Sequence, residues 1–99
     1  MNGFMERSNK MKIKSGYVLR EIGNQCVVVP VGETAISFNG IITLNKTGKF
    51  LWEQLQNDVT VDALVNAMLN KYDVTKEVAT QDILEFLEVL RKHQILVEE

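Results

Sequence analysis

"GIITLNKTGKFLWEQL", residues 40–55, changes structural type without a gap. Its opening residues are β-formers, and its last eight repeat with a helical period. Asn45 stands at the join, where its side-chain oxygen can take an orphan amide of the following turn. Beyond it Gly48, Leu51, Trp52 and Leu55 share one helical face. Gly48 costs helix propensity, so close approach to a neighbouring backbone is its expected reason. A short strand over 41–44 that feeds directly into a capped helix cannot hairpin onward, which leaves one of its edges to be accounted for.

Upstream, "YVLREIGNQCVVVPV" (17–31) gives two β-rich runs, 17–22 and 25–31, around Gly23-Asn24. That pair suits a two-residue hairpin turn with positive φ. Pro30 cannot donate to a ladder and belongs at an outer position or at the strand's end. Residues 32–39 read as a connection with Gly and polar residues around Ala35, Ile36 and Phe38. Residues 1–12 form a basic segment expected to be a flexible tail, with order setting in at Ile13 and a single domain over 13–99.

Downstream, Thr60 caps a second helix with Val61, Leu64, Val65, Met68, Leu69 and Tyr72 in a clean i, i+3, i+4, i+7, i+8 series. Thr75 caps a third, over about 76–92, with Ala79, Ile83, Phe86, Leu87 and Leu90 facing inward. Val78, Leu84 and Val89 widen its apolar stripe beyond what packing on one side requires. Either the sheet and second helix cover that surplus, or part of it lines a groove. "ILV" at 95–97 reads as a terminal strand or a packed tail.

The fold expected is α+β and winged-helix-like: an N-terminal three-stranded antiparallel sheet followed by a three-helix bundle. Ninety-nine residues make one domain. A formal charge of −2 gives no general attraction to phosphate or anionic lipid. Neither a signal peptide nor a membrane span is expected, and the cytoplasm is the expected location.

Catalytic chemistry is not evident. His93, the one histidine, belongs at a helix end, where a cation suits the macrodipole. Cys26, the one cysteine, reads as a packed core thiol. No metal-ligand spacing and no phosphate loop appear, so no cofactor is expected. Glu85 and Glu88 with Arg91 and Lys92 read as surface pairs. A winged helix could instead be a nucleic-acid-binding regulator. Its reading helix would set Lys76, Arg91 and Lys92 against Glu77, Asp82, Glu85 and Glu88, a balance that opposes phosphate contact.

Three stretches carry a resemblance: "YVLREIGNQCVVVP", "ITLNKTGKFLWEQL" and "LVNAMLNKYDVTKEVATQDILEFLEVLRKHQIL". In that order and spacing the chain resembles the PqqD-like family, over residues 13–97. The resemblance implies a non-catalytic recognition element for ribosomally made, modified peptides. Such a protein binds a precursor's leader segment as an added β-strand and presents its core segment to a modifying enzyme, often a radical S-adenosylmethionine protein. A structural subunit of such an enzyme is the other role in keeping with it. The connection over 31–40 looks longer than in the quinone-cofactor member, which favours a different peptide system.

By this resemblance the peptide would meet Ile41, Ile42, Thr43 and Leu44 of the third strand and Val78, Asp82, Phe86 and Val89 of the third helix. "IITL" carries neither of the charge or proline devices that blunt an exposed edge, which suits a guest strand. The competing occupants of that edge are the N-terminal segment and "ILV". A free apolar edge, or the tail, also invites a homodimer.

Overall fold

The computed structural model describes residues 10–37 and 42–98. Its elements are β1 (Met11–Ile13), β2 (Tyr17–Ile22), β3 (Gln25–Pro30), a one-turn α1 (Thr34–Ser37), β4 (Ile42–Leu44), α2 (Lys46–Gln54), α3 (Val61–Lys71), α4 (Lys76–Lys92) and β5 (Leu96–Glu98). The α+β class and the antiparallel sheet β2-β3-β4 followed by three longer helices are as expected. A second, two-stranded sheet, β1-β5, was not expected.

Gly23 has φ of +63° while Asn24 has negative φ, so the hairpin turn uses its glycine at the first central position. Ile22 and Gln25 close it in register. Pro30 is the last residue of β3, where a missing donor costs least. Short α1 lies in the stretch expected to be irregular. Gly16 has φ of +102°, and Thr34 Oγ1 occupies the space where a side chain would begin, so only glycine fits there.

All three long helices begin as their caps require. Asn45 accepts from the Gly48 amide at 2.7 Å, Thr60 from Ala63 at 3.1 Å and Thr75 from Val78 at 3.2 Å. One core joins the inner residues of β3 and β4 to Leu51, Trp52 and Leu55 of the α2 region, Leu64, Val65 and Met68 of α3, and Ala79, Ile83, Leu87 and Leu90 of α4. Cys26 is a buried member of it, as expected. Phe50 meets Tyr72 edge-on at 5.7 Å and closes the outer side between α2 and the end of α3.

Met11 and Lys12, read as the end of a flexible tail, are strand residues. Met11 is 3% exposed and belongs to the core. The Met11 amide donates to Val59 O and the Ile13 amide to Leu55 O, each at 2.8 Å, while the Lys14 amide donates to Ile95 O at 2.7 Å. Thus β1 is held on one side by the α2–α3 connection and on the other by β5. The "ILV" stretch becomes Ile95, fully buried, and the start of β5. At the end of α4, Ile95 N–H donates to Leu90 O and Gln94 N–H to Arg91 O, a Schellman arrangement that puts Gln94 at φ of +59°.

Three outcomes follow from these contacts. Met11→Ala should cost about 2–4 kcal/mol in denaturant unfolding, as for a fully packed core methionine. Gln94→Gly should raise stability by about 0.5–1 kcal/mol, because glycine tolerates the left-handed conformation. The third concerns Arg91, whose Nε donates to Glu98 at 2.9 Å and holds that carboxyl below its ordinary pKa. Stability from a depressed carboxylate is present above the unfolded pKa and is lost as pH falls through the folded one. The two side chains are 39% and 41% exposed, so the contribution is about 0.5 kcal/mol or less. Glu98→Gln should therefore melt slightly below the parent at neutral pH and match it in acid.

Candidate functional site

The register of the three-stranded sheet settles which way each amide of β4 points. The Val31 amide donates to Gly16 O at 2.9 Å, so Val31 bonds toward β2. Amides alternate along a strand. Val29, Val27 and Gln25 therefore also face β2, while Val28 and Cys26 face β4. Their partners are Ile42 and Leu44, which spend their main-chain groups inside the sheet. Thr43, opposite Val27, is a non-bonded pair and turns its N–H and C=O outward.

No strand covers that outer edge among the described residues. Of the candidates to cover it, the described end of the N-terminal segment, Met11–Ile13, and the "ILV" stretch are paired with each other as β1 and β5, and residues 1–9 lie outside the described residues. Strand β2 offers the sheet's other edge, but it carries Arg20 and Glu21, and Glu21 is tied to Lys49 of α2 at 2.6 Å. Charge of this kind blunts an edge, and β4 has none.

Beside the end of β4 lies a cleft of about 230 Å³ between α2 and α4. Asn45, Thr47, Gly48 and Leu51 form one wall, and Asp82, Glu85, Phe86 and Val89 the other. Gly48 shapes its floor. A Cβ there would stand 3.3 Å from Leu44 Cβ and 3.4 Å from Phe86 Cε1, so glycine lets α2 close on these side chains. The close approach expected at Gly48 is thus to side chains of neighbouring elements, not to a neighbouring backbone.

The structure sorts the residues expected to meet a peptide. Asp82, Phe86 and Val89 come together in the cleft. Ile42 and Leu44 have their side chains in the core, at 9% and 8% exposure, and Thr43 is exposed. Val78 is 45% exposed but does not line the cleft, and Ile41 lies outside the described residues. The surplus apolar residues of α4 are not covered by the domain's own elements: Val89 borders the cleft, while Leu84 is 49% exposed beside Glu77 and Glu88. Glu85, read as a surface pair, is a cleft residue, and the α2 wall was missed apart from its signals at Asn45 and Gly48. Among the described residues no cluster of His, Cys, Asp or Glu could hold a metal ion, and no helix is long and apolar enough to cross a membrane.

Among curated proteins no sequence matches this chain. A solved structure of TbiB1 in complex with the TbiA(beta) leader peptide has a similar fold, with a TM-score of 0.67 at 21% identity, over 86% of this chain and 93% of that one. The model of coenzyme PQQ synthesis protein D matches residues 25–96, from the second strand of the hairpin through β4 and all three long helices, and this chain belongs to the PqqD family.

Proposed function

We propose that this protein binds the leader segment of a ribosomally synthesised precursor peptide by β-strand addition and presents the peptide to a modifying enzyme. The observation that carries this reading is the outward main chain of Thr43 on an uncharged edge strand, beside a cleft with an apolar floor. Main-chain hydrogen bonds to an added strand supply affinity for any extended peptide, and pockets beside the edge supply choice. The similarity to TbiB1, itself bound to a leader peptide, supports the same use of the fold here. So does membership of the PqqD family.

The partner enzyme, on the family resemblance, is a radical S-adenosylmethionine protein, and the domain is winged-helix-like in the order of its sheet and helices. Acidic Asp82 and Glu85 in the cleft weigh against a nucleic-acid role, since a phosphate backbone would meet like charge there. The protein's part is to hold and deliver, without bond-making of its own.

Two proline variants separate the fold from the dock. Ile42→Pro removes a ladder donor facing β3 and should lower the thermal midpoint. Thr43→Pro removes the outward donor and should melt close to the parent. It should nevertheless bind a leader peptide about tenfold more weakly, through one lost hydrogen bond and steric conflict with the guest strand. Melting curves and titration with a synthetic leader peptide that the parent protein binds would read both. Undiminished leader binding by a folded Thr43→Pro variant would show that β4 is not the docking edge.

A further inference from the structure

We infer that the peptide taken by this cleft carries a cationic side chain two residues away from an apolar anchor. The inference rests on reading the cleft as the peptide dock, and it names what that dock selects. Leu51, Phe86 and Val89 give the cleft an apolar floor, and Asp82 and Glu85 give it two carboxylates. Among the described residues no Lys, Arg or His lines it.

Those carboxylates are not neutralised from within. Among the described residues the ion pairs engage Glu21, Glu88 and Glu98, and none engages Asp82 or Glu85. Glu85 accepts only from the neutral amide of Gln81, at 3.3 Å. A guest strand displacing water from the cleft would strengthen this field, so an acidic side chain there is repelled and a Lys or Arg is held.

Within this inference the guest strand runs along α4, and the spacing follows from the two repeats. Asp82 and Phe86 are one turn apart on α4, about 6 Å along its axis. An extended peptide covers about 6.6 Å in two residues, which also returns its side chains to the same face. A side chain seated on Phe86 and Val89 therefore places the one two positions along the chain opposite Asp82. The pattern is cation-x-apolar or its reverse, according to the direction of the guest strand.

The test uses a display library of random peptides of about twelve residues, ample for an added strand, selected on the full chain. Enriched peptides should share an apolar residue with Lys or Arg two positions away. A synthetic enriched peptide should lose about fivefold in affinity when its cation becomes norleucine, the scale of a half-exposed ion pair, and more when it becomes Glu. Raising salt from about 0.05 M to about 0.5 M should shrink that difference. Asp82→Asn should reduce the preference and Asp82→Lys should reverse it toward Glu, with melting curves confirming that both fold. Peptides enriched without a cation, or a cation preference unchanged by Asp82→Lys, would overturn the inference while leaving the dock in place. If the library yields no peptide that binds the full chain, the dock itself falls and this inference with it.

Discussion

Ala79, Ile83, Leu87 and Leu90 of α4 are wholly withdrawn from solvent, in one core shared with the three-stranded sheet, α2 and α3. Ile83, Leu87 and Leu90 each contribute about 1.5–3 kcal/mol by burial, so this stripe fixes how α4 is rotated. A fixed rotation also fixes what the remaining faces can do. At 100° per residue, Asp82, Glu85 and Val89 fall on a stripe about 120° from the centre of the dry one. Phe86 lies between the two, half-buried, touching the core with one side and the cleft with the other. One wall of the cleft is thereby built on the longest helix among the described residues.

The other wall depends on a local event. Asn45 ends β4 and starts α2 in a single residue, which leaves no length of chain for α2 to drift away from the strand. Gly48 then allows the first turn of α2 to close on Leu44 and Phe86. Edge and cleft are consequently adjacent by covalent necessity. A longer strand-to-helix loop would have separated the main-chain groups of Thr43 from the side chains of the cleft.

Much of this was legible in the residues. Gly23-Asn24, the three caps and the apolar periods of the helices are local signals, and local chemistry decided each of them. Of the surplus at Val78, Leu84 and Val89, only Val89 borders the cleft, together with Asp82 and Phe86, while Val78 and Leu84 are exposed. What was not legible depended on partners distant in sequence. "ILV" reads as a terminal strand or a packed tail, but β1 and the pairing of the two do not show, because three residues are too short for a period and Met11–Ile13 meets Leu96–Glu98 across the whole domain. Leu84 and Val89 look alike in the sequence, yet only the rotation of α4 sends one to solvent beside Glu77 and Glu88 and the other to the cleft. Glu85 and Glu88 read with Arg91 and Lys92 as surface pairs; Arg91 does bond Glu88, and also Glu98, while Glu85 borders the cleft.

The pairing of Met11 with Glu98 has a consequence for how such a domain can be combined with others. Residues opposed in an antiparallel ladder stand about 5 Å apart, so the polypeptide enters and leaves the fold through one narrow doorway. A unit with that property can be spliced into a surface loop of a larger protein without prising the host's loop ends apart. It can equally be joined at either side with the same reach. Modularity of this kind needs no hinge and no long linker, only a short strand at each end of the chain that finds the other.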